Sequence, residues 1–170
     1  SGLELIPPSI QRWRRFEPAL RLGVMASGNG SNFEAIQESI EAKTLDADIR
    51  LLVVNNHGCG AETRAKRLHI PCQVLDHRQF ETRESLDRSL VNTFLEEDVE
   101  LIVMAGWMRI VTPVLIDAFP NRLLNIHPSL LPSFKGLDAV GQALNASVRI
   151  SGCTAHWVQA DVDTGPVIAQ

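Results

Sequence analysis

Leu20-Arg21-Leu22-Gly23-Val24-Met25-Ala26-Ser27-Gly28-Asn29-Gly30-Ser31-Asn32 is the stretch on which the fold turns. Leu22 to Ala26 is a short apolar run, Ser27 to Gly30 is a glycine-bearing loop, and apolar residues then recur at helical spacing from Asn32 to Ala42. Such a sequence reads as strand, tight loop and helix, the opening of a crossover unit. The alternation repeats downstream. Further apolar runs at Ile49 to Asn55, Cys72 to Leu75, Leu101 to Ala105 and Leu123 to Ile126 predict strands. Between them Ala61 to Leu68, Arg83 to Glu97 and Pro113 to Phe119 predict helices, the second with Leu86, Leu90, Phe94 and Leu95 on one face. The nearly continuous Val, Leu and Ile content of the runs suits strands covered on both sides. The expected class is therefore α/β, a three-layer, Rossmann-like open sheet, mainly parallel, with helices on both faces.

Beyond Ile126 the texture changes. A loop rich in Pro, Ser and Gly leads to a short helix at Ala139 to Asn145, then to strand-like runs at Thr154 to Val158 and Val167 to Ala169. Residues 1–19 read as an N-terminal extension, with Pro7, Pro8 and Pro18 opposing a core helix and Arg12-Trp13-Arg14-Arg15 forming a small basic cluster. Residues 20–170 are expected to form one domain that lacks its native C-terminal part, because Gln170 falls at the end of a strand.

The bulk properties narrow the partners. A chain of 170 residues can bury one sizeable core without disulfides. A net charge of -4 and a pI near 5.7 oppose general nucleic-acid binding, which needs a basic face. No apolar run reaches the roughly 20 residues that span a bilayer, so a cytoplasmic protein without membrane association is expected. Cys59, Cys72 and Cys153 show neither C-x-x-C spacing nor a histidine cluster, and are expected to be buried or half-buried free thiols. His57, His69 and His77 read as loop or surface residues.

Three stretches carry chemistry. In Gly28-Asn29-Gly30-Ser31-Asn32 the glycines allow close approach to the backbone, and the following helix offers free N–H groups, a setting for a phosphate. The alternative is an ordinary turn in which Ser31 or Asn32 caps the helix. The pattern is neither G-x-G-x-x-G nor a Walker loop, which opposes a dinucleotide or nucleoside triphosphate. In Leu124-Asn125-Ile126-His127-Pro128, Asn125 and His127 stand two apart at the carboxyl end of a strand, where both can face the crevice in which open α/β sheets bind ligands. An amide donor beside a group that titrates near neutral pH suits acyl transfer through an oxyanion. Asp163, in Asp161-Val162-Asp163-Thr164-Gly165-Pro166, could hold the imidazole and a water, or could simply shape a turn. His156, Arg83, Met108 and Arg109 are further pocket candidates.

These stretches, in this order on this pattern, resemble the glycinamide ribonucleotide formyltransferase family from about Leu20 to Gln170. The resemblance lies in GNGSN at residues 28–32, AGWMRI at 105–110, NIHPSLLPSFKG at 125–136 and VDTGPVIAQ at the end. The NIH-x-S-x-LP block is shared with other folate-dependent formyl-handling enzymes, and GNGSN favours the ribonucleotide enzyme. The loop after Gly136 reads Leu-Asp-Ala-Val-Gly, where some members carry histidines. The resemblance implies formyl transfer from 10-formyltetrahydrofolate to glycinamide ribonucleotide with no metal, by a monomer or homodimer. It further implies that Gly30, Ser31 and Asn32 bind the substrate phosphate, and that Arg83, Met108, Arg109, Ile110, Val111 and Asn125 line the folate site. Asn125 would contact the formyl group, His127 would act as the acid, and Asp163 would tune His127 and organise water.

Overall fold

A computed structural model describes residues 17–170, which build one seven-stranded sheet. In chain order the elements are β1 (Leu20–Ala26), α1 (Ser31–Glu41), β2 (Ala47–Val54), α2 (Gly60–Arg67), β3 (Cys72–Val74), α3 (Arg83–Glu96), β4 (Leu101–Met104), α4 (Pro113–Ala118), β5 (Leu123–His127), α5 (Ala139–Asn145), β6 (Thr154–Trp157) and β7 (Val167–Ala169). The spatial order is β3-β2-β1-β4-β5-β6-β7, parallel through β5 and antiparallel from there on. The expected α/β class, with its mainly parallel sheet between two helical layers, is the one observed. The basic cluster at residues 12–15 lies outside the described residues.

Alternation along β1 sorts the core into two halves. Leu22, Val24 and Ala26 point to one face with Phe33 of α1 and Ala61 and Ala65 of α2, while Met25 points to the other with Leu86, Leu90 and Phe94 of α3 and Leu115 of α4. Gly23 leaves room for Phe94, since a Cβ there would come within 2.5 Å of that ring. In β2 the register against β1 slips at Arg50, so Ile49 and Leu52 serve the same face although they are an odd number of residues apart. The slip converts a continuous apolar run into two correctly facing sets.

Two expectations, for Leu95 and Cys153, and one alternative, a cap from Ser31 or Asn32, need correction. Leu95 is 57% exposed, because Leu86, Leu90 and Phe94 repeat every four residues and the next position turns about 100° away from that stripe. Asp87 is buried in its place beside Leu86 and Leu90, where its Oδ2 accepts hydrogen bonds from the Thr112 N–H at 2.6 Å and the Thr112 hydroxyl at 2.8 Å. It thereby ties α3 to the start of α4. Neither Ser31 nor Asn32 caps α1; Gly30 holds the cap position at φ 80°, and no side chain bonds the first turn. Cys59 and Cys72 are half-buried, but Cys153 is exposed because it ends the exposed run 144–153 that leads into β6.

Candidate active site

The carboxyl ends of β4 and β5 form the floor of a cleft of about 540 Å³. Its walls come from residues 106–111 after β4, from 136–140 before and within α5, and from 158–163 after β6. Arg83, at the first position of α3, closes one side. All of Arg83, Met108, Arg109, Ile110, Val111, Asn125, His127 and Asp163 line this one cleft. Met108 and Ile110 expose 60% and 51% of their surface, which leaves an apolar rim free for a flat ligand. Trp107 Nε1 and Arg109 Nε are buried there without a hydrogen-bond partner among the described residues.

Antiparallel pairing of β5 with β6 sets Asn125 opposite His156. The Asn125 side-chain nitrogen lies 3.2 Å from His156 Nε2, and His156 Nδ1 lies 2.9 Å from the Trp157 carbonyl. A carbonyl only accepts, so His156 carries a hydrogen on Nδ1, and in its neutral form offers Nε2 as acceptor to the Asn125 amide. The second Asn125 amide hydrogen then has no protein partner among the described residues. By the same logic His127 Nε2 donates to the Phe134 carbonyl at 2.9 Å. Its Nδ1 faces Asp163 Oδ2 at 3.4 Å, and Asp163 Oδ1 stands 3.5 Å from His156 Nε2. One carboxylate thus sits between two imidazoles, and all three side chains are almost fully buried.

The loop that presents Asp163 is held by its own geometry. Asp163 adopts φ 54°, a left-handed conformation that aspartate tolerates. Its Oδ2 also accepts from Gly136 N–H at 2.8 Å, linking the loop to the segment before α5. Gly165 lets the chain pass against β6, since a Cβ would fall 1.6 Å from the Trp157 carbonyl oxygen. The Gly-Pro following Asp163 therefore serves the position of the carboxylate.

Gly30, Ser31 and Asn32 do not line the cleft; they lie beside it at the end of β1. The two regions share a rim through Ser27, whose N–H donates to the Gly106 carbonyl at 3.0 Å and whose hydroxyl accepts from Met108 N–H at 2.8 Å. Gly30 is buried while Ser31 and Asn32 are exposed, and α1 has no side-chain cap, so its first N–H groups are presented outward. His156 is the site residue whose role sequence reasoning missed. Only the β5–β6 register reveals its link to Asn125 and Asp163, and no local signal encodes that register.

The chain is similar in sequence and in fold to known formyl transferases. A family model described as formyl transferase matches residues 20–170. The phosphoribosylglycinamide formyltransferase of Bacillus subtilis is 41% identical over 150 residues, covering 88% of this chain and 77% of that protein. The human trifunctional purine biosynthetic protein adenosine-3 is 38% identical over 151 residues, 88% of this chain but 15% of that much longer protein. Among solved structures, phosphoribosylglycinamide formyltransferase from Bacillus halodurans superposes with a TM-score of 0.84 at 40% identity, covering 88% of this chain and 77% of that one. Glycinamide ribonucleotide transformylase 1 from Symbiobacterium toebii gives 0.87 at 36% identity, with coverages of 91% and 73%.

Proposed function

The chain belongs to the formyl transferase family, and on that premise we propose that it moves the formyl group of 10-formyltetrahydrofolate onto the amine of glycinamide ribonucleotide, in purine synthesis. The products are formylglycinamide ribonucleotide and tetrahydrofolate. The observation that carries the reading is the convergence of Asn125, His127 and Asp163 at the floor of one cleft. The folate would lie along Arg83 and Met108 to Val111, where the exposed Met108 and Ile110 give the cleft an apolar rim. The acceptor phosphate would sit at Gly30-Ser31-Asn32, on the uncapped start of α1.

In this reading the acceptor amine attacks the formyl carbon, forming the new C–N bond and a tetrahedral oxyanion, which then collapses as the bond to the folate nitrogen breaks. The free amide hydrogen of Asn125 stabilises the charge developing on the formyl oxygen. His127 acts as the acid from its Nδ1 edge, where Asp163 anchors the ring and a positive charge on it. His127 gives this Nδ1 proton to the departing folate nitrogen, and the proton lost by the amine returns to His127 through the Asp163 end of the cleft. Holding the folate in the cleft and the acceptor by its phosphate on the loop beside it supplies much of the rate, since alignment replaces a bimolecular encounter. The chain acts in the cytoplasm, as a monomer or homodimer.

The test is product formation from the two substrates, followed by the appearance of tetrahydrofolate and formylglycinamide ribonucleotide. Tetrahydrofolate and free formate produced equally well without glycinamide ribonucleotide would make the chain a hydrolase instead.

A further inference from the structure

We infer that Arg64, which does not line the cleft, is a positioning residue for the acceptor-phosphate loop, setting affinity for the phosphorylated acceptor without touching the chemistry. This rests on the reading above that the phosphate sits at Gly30-Ser31-Asn32. Arg64 belongs to α2, yet it spans two parts of the neighbouring unit. Its Nε donates to the Asn29 backbone carbonyl at 2.9 Å, and one terminal nitrogen donates to Asn29 Oδ1 at 2.9 Å. The other terminal nitrogen pairs with Glu34, whose second carboxylate oxygen pairs with Arg67.

The rest of α2 closes on the same loop. Ala61 N–H donates to the Gly28 carbonyl at 2.9 Å. A Cβ on Gly30 would stand 2.6 Å from the Ala61 Cα, and one on Gly60 would stand 2.8 Å from the Asn29 carbonyl oxygen. Gly28, Asn29 and Gly30 are therefore each fixed by α2, and Arg64 supplies both side-chain bonds to the middle one. Asn29 immediately precedes the residues whose N–H groups would meet the phosphate, so its orientation sets theirs.

Charge gives Arg64 a second reason to be there. Glu34 lies in the first turn of α1, at the end of the helix that would receive an anion, and its side chain is only 13% exposed. An unpaired carboxylate there would repel a phosphate. Arg64 and Arg67 together place two positive charges against this one negative charge. A planar guanidinium can reach a backbone carbonyl, an amide oxygen and a carboxylate at once, whereas a lysine ammonium is a single point on a flexible stem.

The experiment compares steady-state kinetics of the unmodified chain, Arg64→Ala and Arg64→Lys with glycinamide ribonucleotide and with its dephosphorylated nucleoside, alongside thermal unfolding. In both variants KM for the phosphorylated acceptor should rise about tenfold, the loss of roughly one charged hydrogen bond. Values of kcat, KM for the folate and kcat/KM for the dephosphorylated acceptor should hold within about twofold, because none reports on phosphate contact. An unchanged KM in Arg64→Lys, or an equal loss with both acceptors, would overturn the inference. So would failure of Arg64→Lys to fold, which would assign the residue to the fold alone. Absence of formyl transfer in the unmodified chain is a separate result: it would overturn the functional reading, and the inference with it.

Discussion

Asp163 Oδ2 lies 3.4 Å from Nδ1 of His127, although the two residues leave the sheet on different strands and meet only after the chain has passed through α5 and β6. Because His127 Nε2 is already committed to the Phe134 carbonyl, Nδ1 is the edge through which a proton can be exchanged. Replacing His127 by Ala, or Asn125 by Ala, should lower kcat by about a hundredfold or more, the scale of losing a general acid or an oxyanion donor. Both substrates should still bind by calorimetry. Turnover close to normal in His127→Ala would remove His127 from the chemistry.

Gly165 offers a test of how the carboxylate is held. Its Cα passes so close to the Trp157 carbonyl that any side chain must displace the loop or the strand. Gly165→Ala should cost about 1–3 kcal/mol of stability through overpacking, and should lower kcat more than KM because Asp163 moves with it. Urea unfolding and kinetics measured on one preparation check both parts; full activity at normal stability would show that the loop yields freely.

Asp87 makes stability depend on pH. Burial pushes its carboxyl above the usual carboxylate range, and Glu84 adds to this while the two hydrogen bonds from Thr112 oppose it. A pKa raised by folding means that the folded chain holds this proton more tightly than the unfolded chain. The contribution is therefore fully present below the unfolded pKa and is lost as pH rises through the folded one. Asp87→Asn keeps an acceptor for Thr112 and cannot ionise, so its stability relative to the unmodified chain should increase as pH rises from the carboxylate range to neutrality. Asp87→Ala leaves Thr112 N–H unpaired and should cost about 1–3 kcal/mol. Parallel stability curves for the Asn variant and the unmodified chain would refute the coupling.

The three thiols should separate by reactivity. The Cys72 thiol is pushed up to about 11 by burial, with Glu62 and Cys59 adding repulsion, so little thiolate forms near neutral pH. Cys153 is exposed. A disulfide reagent at pH 8 should modify Cys153 rapidly and Cys72 slowly, and Cys153→Ser should abolish the fast phase. A fast phase that survives that substitution would contradict the assignment.

Periodicity was enough to place the parallel strands and their helices, because strands buried on both faces and amphipathic helices leave different spacing in the chain. Leu95 shows where it stopped: an apolar side chain beside a fully buried Phe94 looked like core, and only the four-residue stripe through Leu86 and Leu90 turns it outward. The uncapped start of α1 was likewise hidden, since Ser31 and Asn32 are good capping residues and Gly30 takes the position by adopting positive φ. In the site, Asn125 and His127 could be paired from their two-residue spacing on one strand. The bond from Asn125 to His156 and the approach of Asp163 to both imidazoles depend on long-range register, which local pattern does not carry.

The antiparallel turn of the sheet after β5 decides when the cluster can exist. All five parallel strands precede Thr154 in the chain, whereas the carboxylate between the two imidazoles is delivered only after β6 has run back along β5. As the polypeptide is synthesised from its N-terminus, the scaffold bearing Asn125 and His127 is complete before the acid that anchors His127 has been added. Any chain that stops short of Asp163 carries that scaffold but lacks the cluster's carboxylate.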